Sequence, residues 1–148
     1  MEIIEAPHTY PDKPDLFFGG GISNCPLWQN DLAELLKNTP GIALNPRRST
    51  PFVDEIAGEQ IEWEHKALRD VETVLFWFPQ ETLCPITLFE LGVFSQKKDV
   101  NLIVGTHPNY ARRFDVVKQL ELERPEVTVY ETLEELADAY SQLYKKLN

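Results

Sequence analysis

The stretch VETVLFWF, residues 71–78, is the strongest strand signal in the sequence. From Thr73 to Phe78 its residues are β-branched, aromatic or otherwise apolar without a polar interruption other than a threonine. A strand that is apolar on both faces is buried on both faces, which is typical of the centre of a parallel sheet covered by helices. This stretch therefore predicts an α/β fold built around it.

Shorter strand and helix patterns alternate on both sides of this stretch. An extended piece at Glu2–Glu5 and an irregular lead-in to residue 14 come first, and the main part starts near Asp15. The further predicted strands span 15–18, 42–44, 100–105 and 127–130, and the predicted helices open at 26–28 or span 59–69, 86–95, 112–121 and 133–147. Alternation at this length implies right-handed crossovers. The sequence predicts a single domain over residues 1–148, a three-layer αβα fold of flavodoxin or Rossmann type with a mainly parallel sheet.

The apolar spacing in each helix predicts which side chains face the core. They are Leu32, Leu35 and Leu36 in the first helix, Ile61, His65 and Leu68 in the second, Leu88, Leu91 and Phe94 in the third, and Leu136, Tyr140, Leu143 and Leu147 in the last.

Composition narrows the class of protein. The chain has 148 residues, of which 43% are hydrophobic, and this is ordinary for one globular domain. Its net charge of -10 is spread along the chain, so we expect no nucleic-acid partner. We also expect no membrane segment, no secretory signal and a cytoplasmic location with free thiols. Because His, Cys and carboxylate residues show no zinc-ligand spacing, we expect neither a metal nor another cofactor.

Ligands of such a fold bind outside the carboxyl ends of the strands, which directs attention to the loops that follow them. These loops span 19–26, 45–52, 79–85 and 106–113. The first, GGGISNCP, leads from a strand to a helix, so its N–H groups can face an anion or a sugar hydroxyl at Gly20, Gly21 and Ser23. It lacks GxGxxG spacing and a P-loop lysine, and a tight turn explains it equally well.

Two glutamates are the main candidates for chemistry. Glu90 is expected in the first turn or so of a helix, among apolar neighbours, where it either complements the helix dipole or points into the cleft. Glu64 follows Trp63 on the preceding helix and either faces solvent or flanks the same cleft as Glu90. His107 follows a strand and is a weaker candidate for an acid, a base or a phosphate donor.

Four segments in order resemble the nucleoside 2-deoxyribosyltransferase-like family: FFGGGISNCPLWQ, LNPRR, QIEWEHKAL and PITLFELGVF. The similarity runs from about Leu16 to Arg113. It implies that Glu90 is the nucleophile and that Glu64 contacts the base. Many members of the family have an aspartate six residues before the nucleophile, and this chain has Cys84 there.

The resemblance and the loop positions together give a set of expected substrate-binding residues. They are Gly20, Gly21, Ser23, Asn45, Arg48, Trp63, Pro85, Thr87 and Arg113. The expected partners are a nucleoside or nucleotide and a free nucleobase, and a homo-oligomer is expected. In better-known relatives the C-terminal segment of a neighbouring subunit completes the pocket, whereas this chain has a charged helix in its place.

The implied reaction is transfer of a 2-deoxyribosyl group between nucleobases. A carboxylate beneath C1′ stabilises an oxocarbenium-like transition state and then captures the sugar as a glycosyl ester. Glu64 can protonate the departing base if burial against Trp63 raises its pKa. The alternatives are hydrolysis of a deoxynucleoside monophosphate, with its phosphate held by the glycine loop, Arg48 or Arg113, and a binding module without turnover, which Cys84 favours.

Overall fold

The structure, a computed structural model, describes residues 1–49 and 53–148. In these residues six strands form one sheet, and five α-helices and a short 3₁₀ helix at Asp54–Ile56 connect them. The strands are β1 (Glu2–Glu5), β2 (Leu16–Gly20), β3 (Ile42–Asn45), β4 (Thr73–Phe78), β5 (Asn101–Thr106) and β6 (Val129–Tyr130). The helices are α1 (Trp28–Leu35), α2 (Ala57–Asp70), α3 (Pro85–Ser95), α4 (Arg113–Glu123) and α5 (Leu133–Leu147).

The predicted central strand is confirmed. All six residues of β4 are buried, and β4 pairs in parallel with β2 on one side and β5 on the other. Side chains alternate across it, so Phe76 and Phe78 pack with α2, α3 and α4, whereas Leu75 and Trp77 pack with α1 and α5. The three-layer αβα arrangement with a parallel sheet follows from this alternation.

The strand order places a crevice beside β4. The order is β1-β3-β2-β4-β5-β6, and without the edge strand β1 it is the flavodoxin-like order, in which the chain changes direction between β2 and β4. Ligands of such sheets bind at that switch point, outside the carboxyl ends of the two strands. The loops after β2 and β4 meet there, because a Cβ at Gly21 would lie 3.0 Å from both Thr82 Cγ2 and Cys84 Sγ.

The N-terminal segment contributes more than an irregular lead-in. The extended piece expected at Glu2–Glu5 is confirmed as β1, which pairs in parallel with β3 at the edge of the sheet. The pairing of β1 with β3 joins residues that are far apart in the chain, so the four residues of β1 alone do not predict it. Strand β2 also extends further than expected, through Gly19 and Gly20, and α2 begins at Ala57, before the expected end of the polar loop. Residues 50–52 of that loop lie outside the described part of the chain.

Several predicted core positions are wrong. Leu35, Ile61 and Leu147 are 43%, 65% and 52% exposed, and His65 is exposed as well. In α2 the inward stripe instead runs through Gln60, the partly buried Trp63 and Glu64, and the buried Ala67 and Leu68. Because two members of that stripe are polar, an apolar pattern selects the wrong face of the helix.

In the described residues, no helix has both the length and the apolar character needed to cross a membrane.

Candidate active site

Glu64 lies on the inward stripe of α2 and is half-buried. Gln60, one turn earlier on the same helix, donates a hydrogen bond from Nε2 to Glu64 Oε1 at 2.6 Å. Burial raises the pKa of the Glu64 carboxyl, while the Gln60 hydrogen bond and the positive charge of Arg48 act in the opposite direction. Glu64 is therefore a partly desolvated carboxyl whose ionised form has two supporting partners.

Glu90 is the sixth residue of α3 and so belongs to its second turn, one turn later than expected. Its side chain is half-buried, and burial raises its pKa to about 8, with the negative charge of Glu64 as the second cause. The two carboxyls are thus close enough to interact. Both α2 and α3 pack on the same face of the sheet.

A buried bridge supports Glu64 from the loop after β3. The side chain of Arg48 is only 7% exposed, and its Nε donates to Gln60 Oε1. Gln60 Nε2 donates to the Pro46 carbonyl at 2.8 Å in addition to Glu64. Arg48 Nη2 lies 2.9 Å from Glu59 Oε2, but the alignment is not that of a hydrogen bond, and this nitrogen has no hydrogen-bond partner among the described residues. Arg48 is thus engaged inside the protein.

Gln60 is the residue of this arrangement that sequence reasoning missed. It is 7% exposed, and its amide joins the β3 loop to α2. The available signal was its position four residues before Glu64, a spacing that places two side chains on one helix face.

The glycine loop is held by protein contacts. A Cβ at Gly20 would lie 2.4 Å from the Trp77 carbonyl oxygen and 2.5 Å from Trp28 Cζ2, so both β4 and α1 require a glycine there. The Gly21 carbonyl accepts hydrogen bonds from Trp28 Nε1 at 2.8 Å and from Gln29 Nε2 at 3.2 Å. Ser23 is exposed at the tip of the loop.

Arg47 makes a second bridge of the same kind. Its Nε donates to Gln29 Oε1 at 3.0 Å, and its Nη2 donates to the Pro26 carbonyl at 3.3 Å. The Asn45 side chain, which is buried, accepts from the Arg47 backbone N–H at 3.0 Å. Arg47 therefore braces the loop after β2, and Asn45 holds the backbone of Arg47.

Cys84 closes the start of α3. It adopts the left-handed region with φ 49°, and it is 5% exposed. Burial, followed by the nearby Cys25 thiol, raises the pKa of Cys84 to about 12, so the thiol stays protonated near neutral pH. A neutral thiol at this position supplies no negative charge. Tyr110 fixes the same loop by donating to the Leu83 carbonyl at 2.8 Å.

Three of the expected substrate-binding residues are close in sequence to Glu64 or Glu90. Trp63 is half-buried, and its Nε1 donates to the His8 carbonyl at 3.0 Å. Thr87 is buried one turn before Glu90, and Pro85 is exposed at the first position of α3.

Arg113 and His107 are engaged with other groups. Arg113 donates to Thr106 Oγ1 and pairs with Glu131 at 2.7 Å, next to the end of β5. His107 Nδ1 accepts the Asn109 backbone N–H at 3.1 Å. The contacts of these two residues do not include Glu64 or Glu90.

Two grooves lie elsewhere on the described surface. One of about 320 Å³ lies beside β1 and α1, and another of about 290 Å³ lies between α3 and α4. Neither is lined by Glu64 or Glu90. Among the described residues, His, Cys, Asp and Glu side chains form no group of three or more that could hold a metal ion.

A Rossmann-like sheet with interacting carboxyls on the helices beside its switch point defines an α/β protein with a candidate site for a small molecule. A family model described as "Nucleoside 2-deoxyribosyltransferase like" matches residues 13–110, well over half of the chain. The protein belongs to this family. The matched region includes Gly20, Arg48, Glu64 and Glu90, and it ends before Arg113. A comparison with curated proteins gave no match.

Proposed function

We propose that this protein transfers a 2-deoxyribosyl group between nucleobases, with Glu90 as the nucleophile. One observation carries the proposal: Glu90 and Glu64 are half-buried carboxyls that interact across neighbouring helices, and the pKa of Glu90 is raised to about 8. Perturbed pairs of titratable groups are typical of catalytic sites. Membership of the family gives the small-molecule class, a nucleoside.

The chemistry uses the two carboxyls differently. As the C1′–N bond weakens, positive charge develops at C1′, and the ionised Glu90 stabilises this charge and forms an ester with C1′. The electron pair of the broken bond stays on the base nitrogen, which receives a proton from Glu64. A second base then reverses both steps and takes the sugar from Glu90. In this proposal, side chains of the protein carry out all of these reaction steps.

Hydrolysis of a deoxynucleoside monophosphate is the second candidate, and the site supports it less well. That reaction needs groups for the 5′-phosphate. Arg48 contacts Gln60 and Glu59, and Arg113 pairs with Glu131, so both of the cations expected to hold a phosphate already have partners. The glycine loop, with Ser23 exposed at its tip, stays a candidate for a phosphate contact.

Incubation with a deoxynucleoside, with and without a second free base, tests the proposal. We expect base exchange that needs the second base. Release of free base and sugar without an acceptor, preferentially from a monophosphate, would replace transfer by hydrolysis. Binding without any bond cleavage would reduce the protein to a binding module. Glu90→Ala is the control, since an undiminished rate in this variant would remove Glu90 from the mechanism.

The proposal extends to a homo-oligomer formed through α3 and α4. Ile86 and Phe89 on α3 and Phe114 on α4 are 65%, 70% and 80% exposed. Large exposed apolar side chains favour association. Sedimentation analysis of the protein and of Phe89→Ser tests this, and a monomer at micromolar concentration would contradict it.

A further inference from the structure

The amide of Gln60 has one possible orientation. Its oxygen accepts from Arg48 Nε, and its nitrogen donates both to the Pro46 carbonyl and to Glu64 Oε1. A flipped amide would face the Arg48 donor with its own N–H groups and the two oxygen acceptors with its own oxygen. Arg48, which cannot lose its proton, therefore fixes Gln60 as a donor toward Glu64.

The groups around the carboxyl pair are unequal in charge. Burial raises the pKa of both carboxyls, but only Glu64 has groups that oppose it: the Gln60 amide, from α2, and Arg48, from the loop after β3, favour its ionised form. On α3, burial together with the negative charge of Glu64 favours the protonated form of Glu90. The contact of Arg48 with Glu59 weakens the positive charge that reaches Glu64 without cancelling it.

We propose that Gln60 is a positioning residue of this site: together with Arg48 it holds Glu64 as the ionised member of the pair and leaves their single shared proton on Glu90. This inference rests on the proposed function for its catalytic meaning, but not for its test. In the resting state Glu90 carries the proton and Glu64 is ionised. In the state that attacks the sugar, Glu90 is ionised and Glu64 carries the proton.

The proton balance of the reaction then closes within the pair. Before bond cleavage the proton leaves Glu90 and reaches Glu64, so Glu90 becomes the anionic nucleophile. The C1′–N bond breaks, the Glu90 oxygen bonds to C1′, and the base nitrogen takes the proton from Glu64. Among the described residues no hydrogen bond joins the two carboxyls directly, so the first transfer runs through a water molecule or the bound base. The incoming base returns the proton, and no external acid or base is consumed.

Carboxyl titration by ¹³C NMR, in the absence of substrate, tests the positioning role. In Gln60→Met the midpoint of Glu64 should move up by about one pH unit, because a hydrogen bond to its ionised form is lost. Arg48→Met should move it in the same direction and serves if Gln60→Met does not fold. In kcat/KM, either variant should move the acid limb of the pH profile upward and leave the alkaline limb near its original pH.

Gln29→Met is the matched control. Gln29 is also a buried glutamine that joins an arginine to a carbonyl oxygen, but it touches no carboxylate. It should leave the Glu64 midpoint unchanged, even though a buried bridge is lost. If the Glu64 midpoint stays unchanged in Gln60→Met and Arg48→Met as well, the positioning role is overturned whatever the activity. If the midpoint moves but no protein, including the wild type, cleaves an N-glycosidic bond, the positioning role stands and the proposed function fails.

Discussion

Two consecutive arginines, Arg47 and Arg48, leave the end of β3 and build two bridges of similar design on different helices. Each contacts the oxygen of a buried glutamine, and each glutamine donates to a backbone carbonyl. The Arg47 bridge ends at the Gly21 carbonyl through Gln29 of α1. The Arg48 bridge continues through Gln60 of α2 to the Glu64 carboxylate.

The difference shows that the role of a bridge depends on the group that accepts its last hydrogen bond. Toward a carbonyl, the arginine–glutamine pair can only brace a loop. Toward a carboxylate that interacts with a second one, the same pair affects protonation, because a fixed donor and a fixed positive charge favour the ionised form. Under the proposed function, the Arg47 side therefore supports the shape of the site, and the Arg48 side supports its chemistry.

The largest expected effect is on Glu90, the carboxyl that interacts with Glu64 at the end of the Arg48 bridge. Glu90→Gln should lower kcat/KM for base exchange by at least about 10³-fold, since the amide cannot form the glycosyl ester. Nucleoside affinity, measured by calorimetry, should change far less because the shape of the side chain is kept. An equal loss in binding and in turnover would show that Glu90 holds the substrate instead of attacking it.

A smaller but more specific effect is expected from Glu64→Gln. In the wild type, kcat/KM should decline above about pH 8, where the pair loses its last proton. Without the Glu64 charge, the pKa of Glu90 falls, and the active form then needs only an ionised Glu90. We expect about 10²-fold lower activity and a profile that rises to a plateau with no alkaline decline. A decline that persists above pH 8 would mean that another group causes it.

The unfavourable ionisation of Glu90 beside Glu64 should also affect the free energy of unfolding. Glu90 binds a proton more tightly when folded, with a pKa of about 8 against an ordinary 4.5. Its contribution is therefore fully present below pH 4.5 and is lost as the pH rises through about 8. Relative to the wild type, Glu90→Gln should gain about 1–3 kcal/mol in unfolding free energy between these limits, with no further gain above them. Denaturant unfolding at pH 4, 6 and 9 measures this difference, and a constant offset would contradict it.

On the Arg47 side the expected effect is on packing alone. Gly20→Ala should lower the unfolding free energy by about 1–3 kcal/mol, because the added Cβ would meet the Trp77 carbonyl and the Trp28 ring. Gly92→Ala is the matched control, since nothing lies within 4 Å of its added Cβ in α3, and it should gain about 0.5–1 kcal/mol. The midpoint temperature of thermal unfolding, measured for both variants, tests this prediction. An unchanged midpoint in Gly20→Ala would show that the loop after β2 relaxes easily.

Much of the architecture was predictable from local pattern. The apolar run at Thr73–Phe78 marked the central strand because both faces of that strand are covered. The edge strand Glu2–Glu5 was underrated, since only its pairing with β3 makes it part of the sheet. The face of α2 was wrong because Ile61 is exposed while Gln60 is buried.

The residue types of the candidate site were predictable, but the hydrogen bonds between its residues were not. Glu64 and Glu90 stood out as carboxyls near apolar neighbours, whereas the contact of Arg48 with Gln60 inside the protein was not predicted. Such a contact joins residues twelve positions apart, and no periodicity encodes it.

By itself, the sequence determined the class of fold and the two carboxyls, because apolar periodicity and residue chemistry are local properties. The tertiary structure decided that these carboxyls interact, that Arg47 and Arg48 contact different helices, and that Gln60 is fixed as a donor. Burial and Coulomb interaction depend on distances between residues that are remote in the chain, and only folding sets those distances.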